Sequence, residues 1–186
     1  MRVLLSNLER EILELLRVHR CMGGKALTSL YAPEDHLALS IALNHLIHET
    51  MVSYEEKSDL FRATPLDKPD ERRLSVLEYF ITLHPDEDAC RYELLNASTK
   101  GVYDLCCLKE DSTFEYFFFV DNAARAVLVT QGANRILSFV KEKKDAAITV
   151  VALDEDDLKF CRSQGVPSSF YVAEGSILRR VKSEGD

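Results

Sequence analysis

Ala38-Leu39-Ser40-Ile41-Ala42-Leu43-Asn44-His45-Leu46-Ile47-His48-Glu49-Thr50-Met51-Val52 is the stretch whose reading decides the fold. Within it Leu39, Leu43, Leu46 and Ile47 fall at i, i+4, i+7 and i+8, which gathers four apolar side chains on one face of a helix. Such a helix has to pack on something, and the residues before it supply the partner. Ser6-Asn7-Leu8-Glu9 has the capping-box form, in which the Ser hydroxyl and the Glu carboxylate each satisfy a free backbone N–H of the first turn. A first helix is expected from there to Gly23-Gly24, with Leu8, Ile12, Leu15, Leu16 and either Val18 or His19 as its inward stripe. Residues 25–31 read as a short second helix with Leu27 and Leu30 inward. Pro33, Glu34 and Asp35 open the third, where proline loses no hydrogen bond and acids suit the positive helix end.

Beyond the third helix, residues 52–55 and 59–64 flank Glu56-Lys57-Ser58 and read as a hairpin. The order helix, helix, helix, hairpin, with an apolar helix end running through Met51-Val52 into the hairpin, resembles the winged helix-turn-helix domains of bacterial regulators. That resemblance covers the first third of the chain and implies that the hairpin is the wing and the third helix the reading helix. The fold class expected is α+β: a winged helix-turn-helix domain over residues 1–66, a linker at 65–71 rich in proline and charge, and a mixed α/β domain over 72–186.

A chain of 186 residues, 46% of them apolar, suffices for one small and one medium core. No basic segment leads into an apolar one at the start and no apolar run approaches ~20 residues, so neither a signal peptide nor a membrane span is expected and the protein reads as soluble and cytoplasmic. Cys21, Cys90, Cys106, Cys107 and Cys161 are odd in number and scattered through apolar segments, which points to reduced, buried thiols. Adjacent Cys106 and Cys107 face opposite sides of a strand and cannot share a metal.

In the second half, residues 72–84 read as a helix with Leu74, Leu77, Phe80 and Ile81 inward, placed to brace both domains. Strands follow at 90–96, 102–108 and 114–120, with turns at Ser98-Thr99-Lys100-Gly101 and Lys109-Glu110-Asp111-Ser112. Phe114-Glu115-Tyr116-Phe117-Phe118-Phe119-Val120 suits a central strand covered on both faces. Residues 125–130 read as another strand, with a helix over 123–129 as the competing reading. A helix over 132–144 would turn Ile136, Leu137 and Val140 inward and end in Lys141, Lys143 and Lys144. A buried strand at 147–153, a helix capped by Asp154 carrying Leu158 and Cys161 and stopped by Gly165 and Pro167, and a hairpin of 170–173 and 177–181 over Glu174-Gly175-Ser176 close the chain.

This second domain loosely resembles the restriction-endonuclease-like sheet, and the two-domain plan is similar to the replication-relaxation proteins of plasmids and conjugative elements. The resemblance implies an Asp on one strand and an acid-x-Lys set on the next, the acids holding Mg²⁺ and the Lys helping to activate water. Asp104 and Glu115 stand at suitable places, yet residue 117 is Phe and no Lys lies on that strand, so a degenerate domain with no catalytic set, metal or cofactor is expected. His45 and His48-Glu49 match neither the zincin motif nor its inverse, and no phosphate-loop, dinucleotide, hydrolase or calcium-loop motif occurs.

For the third helix, a rotation of 100° per residue away from Leu43 puts Glu34, Ala38, Ile41, His45 and His48 on the outward face, flanked by Leu37 and Asn44. Asn44 could read an adenine edge and Leu37, Ala38 and Ile41 could touch thymine methyls. Against this, the chain carries −8 overall, residues 1–70 hold 8 basic and 11 acidic residues, and no Lys or Arg occurs between Lys25 and Lys57. The expected function is a non-enzymatic accessory or regulatory protein of a mobile element that contacts DNA through Lys25, Leu37, Ala38, Ile41, Asn44, His45, His48 and Lys57. The alternative is that the same residues pack on protein, either another chain or a second copy in a homodimer, because an exposed apolar face serves an interface and phosphate binding needs cations.

Overall fold

The computed structural model describes residues 4–85, 88–95, 103–140, 146–166, 168–175 and 177–181. Helix α1 (Asn7–His19) starts on the capping box: the Ser6 N–H donates to Glu9 and the Glu9 N–H to the Ser6 hydroxyl. Ile12, Leu13, Leu16 and His19 form its buried stripe. The helix stops short of Gly23-Gly24, because Arg20 turns left-handed with φ 64° and Cys21–Gly23 forms a strand, β1. Cys21 and Met22 are wholly buried there, which a strand of three residues hides from any periodicity.

Helix α2 (Gly24–Ser29) follows directly. A 3-10 turn (Pro33–Asp35) leads into α3 (His36–His48), and β2 (Ser53–Glu55) and β3 (Leu60–Arg62) form the expected hairpin. β3 pairs antiparallel with both β1 and β2, giving the order β1-β3-β2. The Gly24 N–H donates to the Asp59 carbonyl at 2.8 Å, and a Cβ on Gly24 would lie 2.3 Å from the Asp59 carboxylate, so a larger residue there has to displace that side chain.

Helix α4 (Glu71–Leu83) is capped by Asp70, which accepts from the Arg73 N–H. After a 3-10 turn (Asp88–Arg91) come β4 (Tyr92–Leu95), β5 (Leu105–Lys109) and β6 (Phe114–Val120), paired as an antiparallel meander. β7 (Ala146–Ala152) and β8 (Ser169–Glu174) add on in parallel through α5 (Ala123–Phe139) and α6 (Glu155–Ser163), and β9 (Ile177–Val181) closes the edge antiparallel. The sheet order is β4-β5-β6-β7-β8-β9. The strand expected at 125–130 is the first half of α5. Asn122 caps it by accepting from the Arg125 N–H, and Ala126, Val129, Thr130, Ala133 and Ile136 make one buried helical stripe while Leu128 is exposed. A parallel β6–β7 pair requires a long crossover, which overrides the strand preference of Val127, Val129 and Thr130. The turn at 98–101, Pro167, Ser176 and the cations Lys141, Lys143 and Lys144 lie outside the described residues.

β6 is central and covered on both faces, as its composition requires. Phe117 and Phe119 point into the core shared with α4, and Phe118 and Val120 into the core beneath α5 and α6. The first of these cores does not stop at the sheet. It continues through Leu77, Phe80 and Ile81 of α4 into Ile12, Leu16, Leu27 and Leu46, so α4 is the layer between the N-terminal unit and the sheet. None of the described helices is long and apolar enough to cross a membrane.

Candidate functional site

Helix α3 is tied at both ends. Pro33 sits at the first position of the preceding turn, and the His36 ring donates through Nε2 to the Tyr31 carbonyl at 3.0 Å. At the other end Thr50 adopts a left-handed φ of 57°, its N–H donates to the Ile47 carbonyl and the Met51 N–H donates to that of Leu46. This is the Schellman arrangement, which ends the helix and turns the chain into β2. Leu39, Ala42, Leu43 and Leu46 face the core.

The opposite face is open. Leu37 is 74% and Ile41 62% exposed, and Ala38, Asn44 and His48 are exposed with them. His45, expected on that face, is drawn off it: its Nδ1 pairs with the Glu9 carboxylate of α1 and the ring is half-buried. The Ser6 N–H, and then His45, hold the Glu9 carboxyl below its usual range. One buried carboxylate therefore serves as the cap of α1 and as the strut to α3. Sequence alone did not show it, since the two residues stand 36 positions apart.

Beside the open face, α2, α3 and the β2–β3 hairpin enclose a cleft of about 410 Å³ lined by Lys25, Leu39, Asn44, Tyr54, Asp59 and Phe61. Tyr54 stacks on Phe61 with ring centroids 4.6 Å apart and donates its hydroxyl to Asp59 at 3.1 Å, a bond that raises the Tyr54 pKa. Lys25 is exposed on the rim and Lys57 at the hairpin tip, next to Glu55, Glu56 and Asp59. Arg62 is already engaged by Glu55. The structure thus brings Leu37, Ala38, Ile41 and Asn44 together on one face, sets Lys25 at its edge, and leaves Lys57 out on the hairpin.

The acids singled out in the second half do not converge. Asp104 accepts from Arg72 Nε at 2.8 Å, Arg125 Nη2 at 3.0 Å and the Phe119 N–H at 2.8 Å. Arg72 also reaches Asp121 at 3.0 Å and lies over the Phe119 ring. Glu115 stands opposite Cys107 in the register, three residues or roughly 10 Å from Asp104 along the strand. It accepts from the Thr149 hydroxyl at 2.9 Å and meets His84 at 3.4 Å. Neither arginine was flagged by the sequence, where nothing local distinguishes them. Cys21, Cys106, Cys107 and Cys161 are free and buried; burial pushes the Cys106 thiol up to about 11 and raises that of Cys107 as well.

No family model, no curated protein and no solved structure matches the chain.

Proposed function

We propose that the N-terminal unit is a winged helix-turn-helix and that the chain is a non-enzymatic accessory or regulatory protein whose outward α3 face docks on protein. The observation that carries this is the character of that face: Leu37 and Ile41 stand 74% and 62% exposed on a helix with no Lys or Arg, inside a stretch from residue 26 to 56 that has none. Affinity for a phosphate backbone comes from cations displacing counterions, and an apolar patch gains nothing from phosphate. The topology of helix, strand, helix, helix and hairpin with sheet order β1-β3-β2 supports the winged-helix reading. The non-enzymatic reading is supported by Asp104, whose carboxylate is taken up by two guanidinium groups, and by Phe117 at the position where a nuclease of the suspected class needs Lys. The likeness to replication-relaxation proteins enters as the two-part plan alone, and a role in a mobile element rests on it.

A second reading, DNA contact, is favoured by one observation: Asn44 is exposed on the same face with Lys25 across the adjoining cleft. Fluorescence anisotropy with labelled duplex at low salt separates the two. The docking reading expects no saturable binding up to high-micromolar protein. Salt-dependent binding that Ile41→Glu abolishes would overturn it in favour of DNA.

A further inference from the structure

We infer that the occupant of the α3 face is a second copy of this chain, its α3 packed antiparallel about a two-fold axis at Ile41. The inference rests on the docking reading above and names the partner. Of the six α-helices among the described residues, α3 alone contains no Asp, Glu, Lys or Arg. Two copies of a chain carrying −8 repel one another over most of their surfaces, and a neutral helix face is where they approach without opposing like charges.

The order of residues along the face is self-complementary. An antiparallel pairing centred on Ile41 sets Ala38 of one copy against Asn44 of the other, where the small side chain lets the backbones come close. It sets Glu34 against His48, an acid opposite an imidazole, twice in the dimer. Glu34, in the 3-10 turn just before α3, and His48 are both exposed, and residues 37, 38, 41, 44 and 48 follow the i, i+3, i+4 rows by which helices interlock. Ile41 meets its own copy at the axis, and Leu37 falls opposite the half-buried His45 ring that Glu9 holds. An isologous interface of this kind closes on itself and stops at two chains.

A helix of 13 residues is roughly 20 Å long, and one face of it buries on the order of 400 Å² per copy. That is about half of a standard interface, the size of a weak, transient association, so dimerisation is sought over a range of about 10 to 100 µM.

Sedimentation equilibrium over about 5 to 500 µM brackets that range. The wild-type mass is expected to climb from one chain towards two, and Ile41→Glu, which sets two carboxylates on the axis, is expected to hold it at one chain. Ile41 is on the surface, so the circular dichroism of that variant stays that of the wild type. The register has its own test under diamide, with the wild-type chain as control. Ile41→Cys links to itself, and Ala38→Cys links to Asn44→Cys when the two are mixed while neither links alone. A one-chain mass at every concentration, a mass gain that Ile41→Glu leaves intact, or failure of the mixed 38–44 link overturns the inference. Should the chain stay monomeric and bind no duplex, the second copy is refuted and docking on another protein stands; duplex binding lost on Ile41→Glu refutes docking itself.

Discussion

His19 closes α1 with 2% of its surface exposed, and its Nε2 has no hydrogen-bond partner among the described residues. Burial, and then the Arg73 guanidinium from α4, lower its pKa from 6.5 to about 4. Glu11, Glu14 and Glu93 line the groove beside it, and the shift comes from burial and Arg73. The unfolded chain takes up a proton on this ring below about pH 6.5 while the folded chain resists until about pH 4. The stability that a neutral His19 allows is therefore complete above pH 6.5 and declines as pH falls, by up to about 3 kcal/mol at pH 4. Carboxylates contribute their own pH dependence, so the prediction is a difference. Urea midpoints taken at pH 7 and pH 4.5 should fall less in His19→Leu than in the wild type. Equal falls would show that the ring is protonated in the folded chain or reaches water.

At the scale of elements, what the sequence revealed and what it hid divide by the range of the interaction. The capping box of α1 and the two-sided apolarity of β6 are local signals, and both are found as expected. β1 is too short to show a period, and the β-branched start of α5 leaves strand and helix as competing readings, between which the parallel β6–β7 pairing decides for helix. The open α3 face followed from 100° arithmetic for Leu37, Ala38 and Ile41, but His45 left it for a carboxylate on another helix. Comparable in range is the Asp104 junction, which receives Arg72 from 32 residues before it and Arg125 from 21 after it. It fastens α4, the start of β5, the end of β6 and the first turn of α5 at one point. Removing the carboxylate leaves two partly buried guanidinium groups without it, so Asp104→Ala is expected to cost about 3 to 5 kcal/mol. Asp156→Ala, which breaks an exposed pair with Lys159, is expected to leave the stability little changed. Equal effects in chemical denaturation would mean that the junction is a surface network and holds nothing together.

Across the whole molecule, α4 decides whether the two halves behave as one. Its Leu77 and Phe80 belong to the core that reaches Leu16 and Leu27 on one side and Phe117 and Val151 on the other. Phe80 is fully buried, edge-on to Phe117 and Tyr92 with centroids 5.4 Å away in each case. The composition suggested two cores joined by a linker, whereas the core under the sheet is continuous with the N-terminal one. Unfolding either half exposes α4, and the other half then loses the layer that covers it. A single cooperative transition follows. The chain has no Trp, so Tyr54→Trp on the hairpin and Phe160→Trp on α6 give one fluorescence reporter in each half without changing the interior. Both should report one urea midpoint. Phe80→Ala, at a cost of about 3 to 5 kcal/mol, should move the two midpoints down together. If only one reporter shifts, or the two curves separate in the parent, α4 belongs to one half alone and the shared core does not couple them.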